Sequence, residues 1–394
     1  MRFRHSVFKD EAKLDINYIP EHLPHREKEH RLLTEFFNFI LNFPEKMTQR
    51  VIVTGEIGTG KTALCQRFGA NMTIEANKHG VNFRYIHVNC REYRGKLSLI
   101  LQHAVNVLMP NFPKRGFSAE EILGTLLQNL DEENTHLILA LDEFDVLIEN
   151  EGADAVYNLT RLQEMRSGKP QRLSFIFIMR DLSVTKRLDD SARSTLQRNI
   201  IRLEKYGKDQ LVDILNERVQ LAFEPATIPE DVVSFAADIA QNESGNARFA
   251  IELLWRAGKY ADAEDQRVVT PDCLRKAVSS IIPTLQKNEI ESLNFHEKLF
   301  LLAAAEVFKD KEKAYATLME IEKAYAVACE EFEEQPNSHT MLWKYVQMFS
   351  ALGILKTEIS GTAQRGRSTL IYLPAVSAEE LTQTLRASLQ RGRK

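Results

Sequence analysis

The apolar residues in the first half of the chain gather in short segments separated by longer amphipathic stretches. Segments 136–141 and 173–179 are almost continuously apolar, which is typical of strands buried on both faces of a parallel sheet. Three more short segments, 49–54, 83–89 and 199–203, are rich in β-branched residues or alternate in polarity. With helical periodicity between them, these segments predict an α/β fold with a five-stranded parallel sheet.

From residue 208 onward the pattern becomes helical, and it changes again after Pro283. The first part predicts a small all-α bundle with helices at 209–221, 229–241, 246–261 and 271–280. The second part predicts three helices and then two alternating strands, at 294–307, 315–332, 340–352, 354–359 and 368–373. Three helices followed by a β-hairpin are typical of a winged helix. We therefore expect three domains, 1–206, 207–283 and 284–394.

A glycine-rich loop lies between the first predicted strand and a predicted helix. Residues 55–62 read G-E-I-G-T-G-K-T, which matches G-x-x-x-x-G-K-[ST] in the context that this pattern requires. Backbone N–H groups of such a loop, and of the helix that follows it, surround phosphates. Lys61 would reach the β- and γ-phosphates, and the Thr62 hydroxyl would ligate Mg²⁺. The candidate phosphate-binding residues are Gly58, Thr59, Gly60, Lys61, Thr62 and Ala63.

Two carboxylates directly follow the apolar segment 136–141, where open α/β sheets bind ligands. We expect Asp142 to hold Mg²⁺ through water and Glu143 to orient or deprotonate the attacking water. Together with Lys61, they form the predicted catalytic group. The Pro-containing segment 18–27 precedes the first predicted helix, 27–43. That segment either packs on a nucleotide base or is a plain N-terminal arm.

Charge is unevenly distributed along the 394 residues. The net charge is −4 and the pI about 6.3, so the overall charge does not indicate a nucleic-acid-binding protein. Residues 336–394, however, carry eight Lys or Arg against three acids. The candidate DNA contacts lie in a helical insertion after the second strand, in the third helix of the winged helix and at the hairpin tip; they are Lys114, Arg115, Thr340, Lys344, Gln364, Arg365, Gly366 and Arg367. A winged helix can instead serve as a protein–protein module.

Cysteine spacing and hydropathy indicate the kind of cellular compartment in which the protein is expected. The four cysteines are scattered without metal-ligand or redox-motif spacing, which predicts reduced core thiols. No segment approaches the length of a transmembrane helix, and no apolar run follows the N-terminal residues. We expect a soluble intracellular protein without a membrane partner.

Several motifs occur in an order that resembles one family. They are Tyr-Ile-Pro and Leu-Pro-His-Arg-Glu in the arm, the glycine-rich loop, Asp-Glu-Phe-Asp after the third strand, Gly-Asn-Ala-Arg in the helical bundle and the C-terminal winged helix. The chain resembles the archaeal replication initiators of the AAA+ class, relatives of the eukaryotic origin recognition complex and cell division cycle ATPases. The resemblance implies binding of ATP or ADP with Mg²⁺ and binding of double-stranded origin DNA. It also implies a replicative MCM-type helicase and paralogous initiator subunits as partners, in the cytoplasm at the nucleoid.

The resemblance also implies roles for individual residues. Tyr18, Ile19, Pro20, Leu23 and Arg26 match the segment that packs around adenine, and Tyr206 matches a tyrosine near the base. Arg248 matches the sensor-2 arginine, which reaches the phosphates from the helical lid. The insertion with Lys114 and Arg115 matches one that touches DNA beside the wing.

Two positions depart from the family pattern. Arg180 stands where the family usually has the sensor-1 Asn, which positions the hydrolytic water. The arginine finger is either Arg193, two residues beyond the usual position, or missing. We therefore expect a weak ATPase that acts mainly as a nucleotide switch. Two alternatives are a nucleotide-switched transcription regulator that binds promoters and a motor such as a branch-migration helicase.

Overall fold

The computed structural model describes residues 6–113, 116–160, 168–196, 199–243, 245–281, 293–310, 313–359, 369–374 and 378–391. The described residues form two compact units. The first unit comprises Ile19–Gln210 and Gly245–Ala247. The second comprises the described parts of Met1–Tyr18, Leu211–Ser244 and Arg248–Lys394.

The first unit contains the predicted parallel sheet. Among the described residues its five strands are ordered β2-β3-β4-β1-β5, with bounds β1 Arg50–Thr54, β2 Phe83–Asn89, β3 His136–Asp142, β4 Leu173–Met179 and β5 Ile200–Arg202. Every residue of β3 and β4 is buried, as their continuous apolar pattern predicts. The sheet confirms the α/β expectation. Strands β1 and β3 both end at the same sheet edge, because they run parallel to β4 between them.

Helices flank this sheet in the first unit. Their bounds are α1 Glu27–Phe37, α2 Phe39–Asn42, α3 Lys61–Lys78, α4 Leu97–Leu108, α5 Ala119–Glu132, α6 Phe144–Thr160 and α7 Asp190–Leu196, with a 3-10 helix at Leu182–Arg187. The single helix expected over 27–43 is divided at Asn38. Helix α6 is interrupted at Gly152, whose φ of 65° is not helical. Helix α5 begins with a capping box between Ser118 and Glu121, since both side chains satisfy N–H groups that the helix leaves free.

The second unit contains the predicted helical bundle. Its helices are α8 Lys208–Ala222, which begins in the first unit, and α9 Glu230–Asn242, α10 Ala247–Ala263 and α11 Pro271–Ile281. The N-terminal arm contains a short 3-10 helix at Glu11–Leu14. Phe8 of the arm stacks on Phe223 with ring centroids 4.9 Å apart. The arm is therefore anchored on the bundle by apolar contact.

The same unit contains the predicted winged helix. Its helices are α12 Phe295–Val307, α13 Leu318–Glu331, α14 His339–Ala351 and α15 Ala378–Arg391. A three-stranded antiparallel sheet has the order β6-β8-β7, with β6 Ala316–Thr317, β7 Lys356–Ile359 and β8 Thr369–Tyr372. Strand β6 and helix α15 were not predicted. Helix α15 buries Leu381, Leu385 and Leu389 in the winged-helix core, so it belongs to the domain rather than to a tail.

Polar and aromatic contacts around the buried residues Phe235, Asp238 and Tyr372 join the bundle to the winged helix. We name Phe235, Asp238, Asn242, Tyr315 and Tyr372 the junction cluster. The Tyr315 hydroxyl donates to the Asp238 carboxylate, which is 2% exposed. Asn242 donates to the Tyr372 hydroxyl at 2.7 Å, and the Phe235 ring packs edge-on against both tyrosine rings at 5.8 and 5.6 Å. Close to this cluster, Arg275 of α11 is fully buried and donates to the Lys313 carbonyl.

The cysteines and the helices agree with two further expectations. All four cysteines are buried and free. Burial raises the pKa of the Cys65 and Cys90 thiols, which keeps them protonated. In the part of the chain that the structure describes, no helix has the length and apolar content to cross a bilayer.

Candidate functional site

The glycine-rich loop connects β1 to α3, and its backbone requires glycine at two positions. Gly58 and Gly60 have φ of 79° and 88°, in the left-handed region that other residues avoid. A Cβ atom on Gly58 would lie 1.9 Å from the Asn246 side chain, and one on Gly60 would lie 3.0 Å from the Tyr206 hydroxyl. Conformation therefore restricts both positions to glycine, and space restricts Gly58 as well. The loop leads into the free N–H groups at the start of α3.

Lys61 lies at the start of α3, with its ammonium group turned back into the loop. Its Nζ donates to the carbonyl oxygens of Gly55 and Glu56 at 2.7 and 2.8 Å. Burial lowers the pKa of Lys61, and the nearby acids Asp142 and Asp145 oppose that effect only in part. A partly desolvated ammonium of this kind gains most from an anionic partner.

Thr62, the second residue of α3, is brought together with Asp142, the last residue of β3. The Thr62 hydroxyl donates to Asp142 Oδ2 at 2.7 Å, and the Glu143 N–H donates to Asp142 Oδ1 at 2.9 Å. Burial alone would raise the pKa of Asp142, but hydrogen bonds from His87 and Thr62 outweigh it and the net pKa is lowered. The carboxylate thus stays ionised beside a hydroxyl oxygen. Mg²⁺ prefers hard oxygen ligands of this type and usually takes one or two carboxylates together with phosphates and water, so the residues fit the ion.

His87 is a member of this site that sequence reasoning missed. Its Nε2 lies 3.2 Å from Asp142 Oδ2, and its Nδ1 is buried without a hydrogen-bond partner among the residues that the structure describes. The residue lies in β2, which was predicted over the same bounds, 83–89. The pairing of β2 with β3 sets Asn89 beside Asp142 and His87 beside Ala140. A histidine two residues before the end of the neighbouring strand was the available signal, but only the register shows which residue it reaches.

The other predicted catalytic residues have identifiable partners. Glu143 has a φ of 50°, and its carboxylate pairs with Arg91, a partner that sequence reasoning also missed. Arg180 follows the β4 residue that pairs with Thr54, and its Nε lies 4.0 Å from the Glu56 carboxylate. The structure thus places Arg180 beside the glycine-rich loop. Arg193 pairs with Asp190 one turn away within α7.

The residues expected around adenine are distributed over both units. Arg26 is buried and lies over the Tyr206 ring, with the guanidinium carbon 4.0 Å from the ring centroid. In the same unit Pro20 is buried, whereas Ile19 and Leu23 are partly buried. Tyr18 belongs to the second unit, where Lys13 and Arg218 lie over its ring at 4.4 and 4.9 Å.

Arg248 is the second residue of α10 and is exposed. The residue before it, Ala247, belongs to the first unit and donates its N–H to the Gly58 carbonyl at 3.2 Å. Ala247, the first residue of α10, therefore lies against the glycine-rich loop. This placement follows from tertiary contact, because residues 58 and 247 are far apart in sequence.

The candidate DNA-contacting residues are only partly described. Thr340, Lys344 and Gln347 are exposed and follow one another at about one-turn spacing on α14, whose opposite face buries Leu342, Tyr345, Val346 and Phe349. The predicted tip residues Gln364, Arg365, Gly366 and Arg367 lie outside the described residues, as do Lys114 and Arg115. Strands β7 and β8, which flank the tip, pair antiparallel with Ile359 opposite Thr369.

The base of the insertion is described on both sides of Lys114 and Arg115. The Phe112 and Phe117 rings pack with centroids 5.1 Å apart. Gln102 of α4 donates to the Pro113 carbonyl at 3.1 Å. An aromatic pair thus closes the base of the segment on which the two predicted cations lie.

Comparison with known families accounts for the three parts of the chain. Residues 46–188 match the family described as AAA domain. Residues 212–279 match the Cdc6 AAA+ ATPase-type lid domain, and residues 288–383 match the CDC6 C-terminal winged helix domain.

Individual relatives extend over nearly the whole chain. The ORC1-type DNA replication protein 2 of Saccharolobus solfataricus is 35% identical over 373 residues, covering 93% of this chain and 90% of its own. The crystal structure of Cdc6p from Pyrobaculum aerophilum is similar with a TM-score of 0.86 at 26% identity, covering 99% and 100% of the two chains. Two Aeropyrum pernix structures each have a TM-score of 0.64: ORC1 in complex with DNA, at 26% identity over 98% and 97%, and ORC2 in ADPNP-ADP complexes, at 25% over 98% and 99%.

Proposed function

The chain belongs to the archaeal Orc1/Cdc6-type replication initiators, and on that premise we propose that it binds double-stranded origin DNA under the control of bound ATP or ADP. In this proposal the AAA+ part is 1–206, the lid 207–283 and the winged helix 284–394. The protein would help to recruit or load a replicative MCM-type helicase together with paralogous initiator subunits, at the nucleoid. Similarity to an ORC1 structure with DNA and to an ORC2 structure with ADPNP and ADP supports both parts.

The nucleotide part is supported by the contact between Thr62 and Asp142. Their oxygens lie 2.7 Å apart at the start of the helix whose N-terminus follows Gly58 and Gly60. Mg²⁺ held there would neutralise phosphate charge. Lys61 would exchange its carbonyl partners for phosphate oxygens, and Ile19, Pro20, Leu23 and Tyr206 would pack around adenine. Arg248 would approach the phosphates from the lid.

Hydrolysis in this proposal is slow. Glu143 would orient the attacking water, but its carboxylate is already paired with Arg91. Arg180 brings a second cation to the loop where a neutral amide usually positions that water. Arg193, the candidate arginine finger, pairs with Asp190 of its own helix. These features favour a switch that binds nucleotide over a motor with rapid turnover.

The observation that carries the DNA-binding part is the exposed row Thr340, Lys344 and Gln347 on α14. A helix that buries its apolar face and exposes short polar and basic side chains at one-turn spacing suits the major groove. The wing tip with Arg365 and Arg367 would contact phosphates or the minor groove. Lys114 and Arg115 of the insertion would contact the same duplex at a second place.

The test is footprinting on chromosomal origin fragments and on scrambled duplex at fixed salt, with ATP and with ADP. We expect a localised footprint that the Arg365→Ala/Arg367→Ala and Lys344→Ala variants weaken. The matched control is Lys28→Ala, which removes the same charge from an exposed position of α1. Equal affinity for both duplexes would refute origin recognition, and footprints confined to promoters would favour a transcription regulator.

A further inference from the structure

Arg26 is a buried arginine whose hydrogen bonds go to backbone carbonyl groups. Arg26 is only 4% exposed. The Nε donates to the Thr59 carbonyl at 3.1 Å, Nη2 to the Glu204 carbonyl at 2.6 Å, and Nη1 to the His25 carbonyl at 3.3 Å. Each of the three guanidinium nitrogens is therefore engaged, while one face of the group covers the Tyr206 ring.

These contacts connect three segments that are distant in sequence: the segment directly before α1, the glycine-rich loop and the chain that leaves β5. Thr59 has no exposed surface, and its hydroxyl donates to the Glu56 carbonyl at 2.9 Å. The Tyr206 hydroxyl lies against Gly60, 3.0 Å from where a Cβ atom would be. Arg26 and Tyr206 thus support the loop from the side of the arm.

The contact between Arg26 and the Thr59 carbonyl also fixes the direction of the next N–H group, that of Gly60. In a planar trans peptide the C=O and N–H groups point in opposite directions. When Arg26 holds the Thr59 carbonyl, the N–H of Gly60 in the same peptide is directed away from Arg26. The preceding carbonyl, that of Gly58, accepts a hydrogen bond from the Ala247 N–H at 3.2 Å. The N–H groups of Thr59 and Gly60 are therefore directed away from Ala247 and from Arg26, respectively.

We infer that Arg26 is a positioning residue for the phosphate chain and not a reader of the adenine base. It holds the Thr59 peptide so that loop N–H groups face the di- or triphosphate, whichever base the ligand carries. This inference rests on the proposed nucleotide binding and adds what one residue contributes to it. It differs from the role that the family resemblance implies, because the buried guanidinium already donates from each of its three nitrogens to a backbone carbonyl and covers the Tyr206 ring with one face.

The experiment compares ADP, GDP and inorganic triphosphate as ligands, by calorimetric titration of the full chain well below its melting temperature. Arg26→Met keeps the apolar stem and removes the donors, while Arg26→Lys keeps the charge but cannot hold separate carbonyls with a planar fork. We expect both variants to bind each of the three ligands about tenfold more weakly, which corresponds to about 1.4 kcal/mol. The GDP-to-ADP ratio of dissociation constants should stay as in the unsubstituted chain.

The matched control is Arg31→Met, which makes the same chemical change at an exposed position of α1, the helix that directly follows Arg26, and should leave all three affinities unchanged. A changed GDP-to-ADP ratio with unaltered triphosphate binding would overturn the inference, since it would show contact with the base. Full affinity in Arg26→Lys would overturn it too, because charge alone would then suffice. If the unsubstituted chain binds none of the three ligands, the nucleotide proposal fails together with this one.

Discussion

Replacing Tyr315 by Phe should destabilise the lid and the winged helix together. The substitution keeps the ring that packs against Phe235 and Tyr372 and removes only the hydroxyl that donates to the buried Asp238 carboxylate. Burial and the neighbouring Asp238 charge raise the pKa of Tyr315, so this hydroxyl is protonated and able to donate at neutral pH. A hydrogen bond to a charged group contributes about 1.5–3 kcal/mol. We therefore expect Tyr315→Phe to lower the free energy of unfolding of this unit by about 2 kcal/mol.

The chain contains a reporter in each of the two joined domains. Its two tryptophans are Trp255, in α10 of the lid, and Trp343, in α14 of the winged helix. The single-tryptophan variants Trp255→Phe and Trp343→Phe therefore let urea unfolding be followed in each domain by fluorescence. With a slope of about 2 kcal/mol per M, the loss corresponds to a midpoint shift of about 1 M.

If the junction cluster couples the two domains, both tryptophans report one transition, and Tyr315→Phe moves both midpoints by the same amount. The control is Tyr157→Phe, at an exposed position of the other unit, which should shift neither midpoint. Two separate transitions in the unsubstituted protein would refute the reasoning. A shift seen by Trp343 alone would refute it as well, because the Asp238 contact would then not hold the lid to the winged helix.

Three further predictions concern the proposed DNA contacts of the insertion, the proposed Mg²⁺ site and the pH dependence of stability. Phe117→Ala removes a 41% exposed ring that packs on Phe112 at the base of the insertion that carries Lys114 and Arg115. If the insertion contacts DNA, a gel-shift titration should show several-fold weaker DNA binding at an unchanged melting temperature. Undiminished binding would exclude the insertion as a contact. Thr62→Ala should abolish the gain in ADP affinity on adding Mg²⁺ without altering affinity in EDTA, and a retained Mg²⁺ effect would place the ion elsewhere. Hydrogen bonds from Lys313 and the Thr317 backbone lower the pKa of Glu320 to about 2 from an ordinary 4.5. The stabilisation that ionised Glu320 provides is therefore complete above pH 4.5 and is lost as the pH falls through 2. In thermal unfolding, Glu320→Gln should lower the free energy of unfolding by about 1 kcal/mol at pH 7 and not change it near pH 2.

Local patterns along the chain determined most of the fold. Strands β2 and β4 have the bounds that their sequence patterns predict, because β4 is buried on both faces and almost continuously apolar, whereas β2 alternates between more and less buried residues. The glycine-rich loop was identifiable because its conformation requires glycine and its chemistry requires Lys61 and Thr62. The capping box at Ser118 also depends on residues three positions apart. Such features are decided by neighbours in sequence, so the sequence alone is sufficient to predict them.

Weak local signals left other elements unpredicted. Strand β6 is two residues long and exists through its pairing with β8, so nothing in those residues alone indicates a strand. Helix α15 was overlooked although Leu381, Leu385 and Leu389 recur at helical spacing. The helical pattern of apolar residues is present in that segment, but only three helices were expected in this domain.

The contacts that make a site of these residues were decided only in three dimensions. His87 reaches Asp142 because of the register between β2 and β3, and a shift of one residue would turn its side chain to the other face of the sheet. Arg26 reaches Thr59 and Glu204 because the arm, the loop and the end of β5 converge. Residue type and spacing along the chain determined which chemistry is available, whereas the packing of distant segments determined which atoms meet, because hydrogen bonds depend on distances that no linear pattern encodes.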